Sequence, residues 1–182
     1  VSMSFKLIWA GSVTLTMAIF FAREDLLRWM MPLRASDYRF DVLGVLIWAF
    51  IPVSVTYIFS TLLTARQLMM KMNRFFLMGI AIDVALNLLL IPHWQAFGSA
   101  VAAVVTQVFI SGAMVWLSIR AFGFRPRLGA LIQIVGFAIF IGVSDFFIFE
   151  KTSTGWGLQF VVALSLGLVG LVLFQLVDLK KA

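Results

Sequence analysis

The chain has 182 residues, of which 63% are hydrophobic and 12% charged, with a mean hydropathy of +1.07. A soluble domain carries about a quarter charged residues, so this composition excludes a globule covered by water. The formal charge of +6 does not point to nucleic acid, because the basic residues sit in loops between apolar runs and form no stripe interleaved with exposed aromatics. The absence of cysteine excludes disulfides and thiolate metal sites.

Six apolar runs are long enough to cross a bilayer, at about 5–22, 42–63, 75–92, 98–119, 128–149 and 157–177. Each is continuously apolar and lacks in–out alternation, so helices are expected and barrel strands are not. The expected fold is therefore all-α, a polytopic membrane protein with residues 1–182 as a single membrane domain. The opening VSMSFKLIWAGSV lacks a basic n-region and a small-residue cleavage site, and it enters a span almost at once. The expectation is the C-terminal portion of a longer chain.

In the first run, Leu26, Leu27, Trp29, Met30 and Met31 continue an apolar face past Arg23, Glu24 and Asp25, either as an extension of the span or as a short interfacial helix ending at Pro32. In the second, Pro52 predicts a kink whose freed carbonyl is met by water or by the hydroxyls of Ser54, Thr56, Ser60 and Thr61. The third runs from Phe75 to Pro92, roughly 27 Å of helix, and Pro92 is expected to end it. Gly98, Ser99, Ala100, Ala102 and Ala103 then begin a fourth helix able to approach its neighbour closely, so the centre of the chain predicts a helical hairpin. In the last two runs Gln133, Gln159 and Gln175 are expected to make interhelical contacts. Asp145, about one turn from Glu150 and Lys151, is expected at headgroup level in a structural role. Gly167 and Gly170 are three apart and do not match the GxxxG pattern.

Lysine and arginine in the loops set the orientation. Lys6, Arg66, Lys71, Arg74, Arg120, Arg125, Arg127, Lys180 and Lys181 fall on one side against the single acid Asp178. Arg23, Arg28, Arg34, Arg39 and Lys151 fall on the other, balanced by Glu24, Asp25, Asp37, Asp41 and Glu150. Both termini are expected in the cytoplasm, with the protein in a cell inner membrane.

Asp83 is the sharpest single feature, since a carboxylate at mid-span costs about 2.5 to 3.5 kcal/mol on insertion scales. Gly79, Asp83 and Asn87 recur every four residues and share one helix face. That face either lines a wet cavity, where Asp83 binds a proton or sodium ion that drives transport, or holds two helices together through Asn87, Gln107 or a serine. On the next helix Ser99, Ala103, Gln107 and Ser111 form a second small-and-polar face, suited to packing or to cavity lining. Asp83, Asn87 and Gln107 are the candidate substrate or ion pathway. His93, the sole histidine, sits beside Pro92 and Trp94 as an amphipathic anchor. No phosphate loop, HExxH or GxSxG motif is present, so neither an enzyme nor a cofactor is expected.

The run Asn87-Leu-Leu-Leu-Ile-Pro92 followed by His93-Trp94-Gln95-Ala96-Phe97-Gly98-Ser99-Ala100-Val101-Ala102 resembles the N-x-x-L-I-P-x-Y-G-x-x-G-A-A-x-A-T stretch of polysaccharide transporters. These are the oligosaccharide-lipid flippases of the multidrug/oligosaccharide/polysaccharide exporter superfamily. Asn87, Ile91, Pro92, Gly98, Ala100 and Ala102 fit the pattern and Trp94 stands for its aromatic. Gln95 replaces a glycine, Ser99 an alanine and Ala103 a threonine. Leu62-Leu63-Thr64-Ala65-Arg66 before a basic turn is similar to another segment of that family.

The resemblance implies the last six helices of a fourteen-helix flippase, comprising a C-terminal lobe and tail helices. It implies a missing N-terminal lobe as partner, alternating access, and a lipid-linked oligosaccharide substrate carried across the bilayer with an ion gradient as driver. Cations inside the cavity would hold the pyrophosphate, yet no lysine or arginine lies mid-span here. The alternatives are a multidrug or small-metabolite exporter of the same superfamily, or a non-transporting six-helix membrane subunit.

Overall fold

The computed structural model describes residues 2–33, 36–123, 128–151 and 155–174, and every regular element among them is helical. The order is α1 (Ser2–Met30), α2 (Asp37–Leu46), a 3-10 turn at Ile47–Ala49, α3 (Phe50–Ala65), α4 (Met69–Phe122), α5 (Leu128–Lys151) and α6 (Trp156–Leu173). Among the described residues, five stretches are long and apolar enough to cross a membrane: Phe5–Met30, Asp37–Ala65, Met69–Phe122, Ile132–Glu150 and Trp156–Leu173. They fit a multi-pass membrane protein. The expected count was six, and the difference lies in α4, which is one apolar stretch from Met69 to Phe122 but is made of two helices that meet at Gln95, where the backbone leaves the helical region (φ 49°, ψ −128°).

The chain divides into two compact units, one of residues 1–35 and 126–182 and one of residues 36–125. The second contains the central hairpin. Residues 69–94 and 96–122 of α4 pack against each other: Phe75 meets Trp116 edge-on at 6.0 Å, and a β-carbon on Gly79 would stand 2.7 Å from Ile110. At the closed end, one on Gly98 would stand 2.6 Å from the carbonyl oxygen of Leu90. The two arms are therefore antiparallel. Their core holds Leu63 from α3 with Met72, Ile110, Met114 and Leu117 from α4, flanked by Phe59, Phe75 and Phe109. Away from it, Leu77, Ile80, Val84, Leu88 and Leu89 of the first arm are all more than half exposed. An apolar face of that kind suits lipid and not water.

Two local expectations shift. Pro92 does not end the first arm: the helix passes through it and breaks at Gln95, three residues on. A proline in the last turn removes one hydrogen bond and leaves the remaining helical dihedrals allowed, whereas the positive φ of Gln95 reverses the chain. At Pro52 the helix continues, and the departure from α-helical hydrogen bonding lies one turn upstream, in the 3-10 turn that contains Trp48. Trp48 is four residues before Pro52, and it is the carbonyl at that spacing that a proline ring displaces. The Ser54 hydroxyl donates to the carbonyl of Phe50 at 2.9 Å.

The first unit packs α1, α5 and α6. α1 is one helix through Met30, so the apolar residues beyond Arg23 extend the span and do not form a separate surface helix. Arg23 stays attached to that helix, donating to the carbonyl of Phe20 at 2.9 Å with its guanidinium 4.6 Å over the Phe20 ring. The buried face of α1 is made of small and hydroxyl residues, among them Ala10, Thr14, Ala18 and Ala22, which admit close neighbours. Lys6 donates to the Gln133 side chain at 3.1 Å, Trp9 meets Phe137 at 6.2 Å, and Phe21 meets Phe146 and Phe149 at 6.3 and 6.2 Å. Both residue numbers rise together along these contacts, so α1 and α5 run parallel. α6 is antiparallel to both, with its Gly167 at Thr14 and its Gly170 against Phe137 and Phe140. The two glycines thus serve different neighbours, which is why their spacing need not follow GxxxG.

Candidate functional site

Two of the three expected pathway residues meet. The side-chain amide of Asn87 donates to Oδ2 of Asp83 at 3.1 Å and to the Asp83 carbonyl at 2.9 Å, as the i, i+4 spacing requires. A second donor comes from the other arm: Thr106, 5% exposed, gives its hydroxyl hydrogen to Oδ1 of Asp83 at 3.3 Å. Thr106 occupies the place expected for Gln107, which makes no hydrogen bond to Asp83 among the described residues.

The displacement of Gln107 has a simple cause. The buried stripe of the second arm runs Gly98, Ala102, Thr106, Ile110 and Met114, one residue earlier than the expected Ser99, Ala103, Gln107 and Ser111. One residue is about 100° of helix rotation, enough to turn Gln107 off the contact. Ala102 and Gly98 bring the backbones close, and a threonine is short enough to reach a carboxylate across that gap.

The resulting cluster is oxygen-rich. Both Asp83 oxygens accept one hydrogen bond each, and Oδ1 of Asn87 is buried with no hydrogen-bond partner among the described residues. An amide oxygen next to a carboxylate is suited to a hard cation or to the hydrogen of a protonated carboxyl.

The side chain of Asp145 is fully buried in the first unit, and neither carboxylate oxygen has a hydrogen-bond partner among the described residues. Phe137, Ile141 and Asp145 are spaced i, i+4, i+8, and all three are fully buried, so Asp145 continues the core face of α5. That spacing was the available signal. Distance to Glu150 and Lys151 measures depth along the helix and says nothing of which way the face turns.

At the closed end of the hairpin a cleft of about 480 Å³ is lined by Tyr38, Asp41, His93, Trp94, Gln95 and Phe97. The Tyr38 hydroxyl donates to the carbonyl of Trp94 at 3.0 Å and accepts from the N–H of Phe97 at 3.1 Å, bracketing Gln95 from both sides. His93 shares this rim with Asp41. Gln133 and Gln159 each make an interhelical contact, Gln159 to the carbonyl of Ile148 at 3.4 Å. Gln175 lies outside the described residues.

Among the described residues, an all-helical architecture with several span-length apolar helices fits a multi-pass membrane protein. The chain matches no protein-family profile, no curated protein and no solved structure.

Proposed function

We propose that this chain is the membrane-embedded portion of a transporter that moves a lipid-linked oligosaccharide across the cytoplasmic membrane by alternating access. The observation that carries the reading is the Asp83 cluster: a mid-span acid held by donors from both arms of one hairpin, beside a buried amide oxygen that has no hydrogen-bond partner among the described residues. Ion binding there would change the charge between the arms and so bias their packing.

Six crossings with both termini in the cytoplasm belong to this reading. Supporting them is the parallel course of α1 and α5. Parallel helices need an odd number of crossings between the end of one and the start of the other, and the three intervening spans meet that need when the arms of α4 are counted separately. Supporting the flippase resemblance is the backbone at Gln95, whose positive φ is the region that favours glycine, the residue the flippase pattern has there. The missing N-terminal lobe would supply the rest of the cavity.

The test is Asp83→Asn in the protein that contains this chain, with Asp83→Ala beside it, scored by delivery of lipid-linked oligosaccharide to the outer leaflet. Loss of ion-dependent delivery with normal membrane insertion is expected. Undiminished delivery by both variants would remove Asp83 from coupling. A second reading, a non-transporting subunit, draws on the same hydrogen bonds as plain bracing of the hairpin. It predicts that both variants lower stability and alter no flux.

A further inference from the structure

At the end of the second unit opposite Tyr38, a groove of about 660 Å³ lies among the close of α3 and the two termini of α4. Four cations line it: Arg66, Lys71, Arg74 and Arg120. Their convergence follows from the hairpin, which returns Arg120 to the level of Arg74, 46 residues later in the chain, while the turn at Arg66 and Gln67 brings α3 to the same place. Among the described residues none of the four forms an ion pair with a carboxylate. Two are instead seated on aromatic rings: Arg66 lies 4.7 Å over Phe122 and Arg120 4.3 Å over Trp116. A guanidinium held on a ring face keeps its edge N–H groups directed outward and ready for a second partner.

The rest of the groove is apolar, with Phe75 and Trp116 among its walls. Uncompensated cations over an apolar wall at the end of a membrane hairpin match a molecule that is anionic at one end and hydrocarbon at the other. The geometry points to a binding site for a phosphate-bearing lipid, its headgroup held by Arg66, Lys71, Arg74 and Arg120 and its chain laid along Phe75 and Trp116. Free inorganic phosphate shares the headgroup chemistry but has nothing to place on the apolar wall. This assignment does not depend on what the chain transports.

Native mass spectrometry of the full chain released from detergent tests it, with phosphatidic acid and phosphatidylcholine as probes and inorganic pyrophosphate as competitor. Phosphatidic acid is expected to be retained at least tenfold over phosphatidylcholine. Lys71→Gln with Arg74→Gln should weaken that retention about 25-fold, roughly fivefold for each cation removed. Arg120→Gln alone should weaken it about fivefold, and Arg39→Gln, at the other end of the unit, should leave it unchanged. All these positions are exposed, so helicity measured by circular dichroism should not move. Equal retention of the two lipids, or full retention by the double variant, overturns the site. Displacement of phosphatidic acid by equimolar pyrophosphate overturns the lipid assignment, because a ligand held at both ends outcompetes one held at its headgroup alone.

Discussion

The carbonyl oxygen of Leu90 and the α-carbon of Gly98 approach so closely that a β-carbon on residue 98 would lie 2.6 Å from that oxygen. The neighbour is backbone and cannot rotate away. Gly98→Ala must therefore spread the two arms of α4, and it is expected to cost about 1–3 kcal/mol of stability, measured by equilibrium unfolding in mixed micelles.

Gln95 is the opposite case. Its φ of 49° with ψ of −128° is a conformation that a side chain strains and glycine does not. Gln95→Gly should raise stability by about 1–3 kcal/mol in the same assay. A loss would show that the glutamine side chain contributes more than its backbone costs.

Tyr38 closes this turn with one hydroxyl that both donates and accepts. Tyr38→Phe keeps the ring and removes both hydrogen bonds. The expected loss is about 1–2 kcal/mol, with faster hydrogen exchange at the Phe97 amide and unchanged exchange in α6. Uniformly faster exchange would mean that the effect is not local to the turn.

In the first unit, Gly167 leaves no room beside Thr14, so a methyl group at 167 would run into the threonine side chain. Gly167→Ala should destabilise by about 1–3 kcal/mol. Adding Thr14→Ala should recover most of it, giving a coupling energy that independent sites would not show.

Asp145 is fully buried with no hydrogen-bond partner among the described residues, an arrangement that costs free energy whichever form the carboxyl takes. Asp145→Val should raise the thermal midpoint, by an amount corresponding to about 1–3 kcal/mol. A group retained at such a cost is a candidate for function, so the same variant should be scored for transport. A fall in the midpoint would mean that the carboxyl is anchored after all.

The hairpin was legible because apolar length, Pro92 and the small residues from Gly98 onward all point to a reversal near residue 95. Its exact hinge was not, because proline marks the end of a helix by what it lacks, while the reversal is made by the dihedrals of Gln95, a residue with no intrinsic preference for them. The Asp83–Asn87 pair could be read from spacing alone, since both sit on one helix. Its third member could not, because the face that Thr106 and Gln107 present depends on helix rotation, and rotation is set by packing of Gly98, Ala102 and Ile110 against the first arm. The burial of Asp145 went unread for the same reason, since depth along α5 does not give direction around it.

The parallel pairing of α1 with α5 joins partners that are far apart in synthesis: Lys6 waits for Gln133, 127 residues later. At about 5–20 residues per second, that is on the order of 6–25 s of translation. The second unit is continuous in sequence and can close within that interval. α1 meanwhile carries the hydroxyls of Ser12, Thr14 and Thr16 without their final neighbours, a polar helix face left uncovered for many seconds before the first unit is complete.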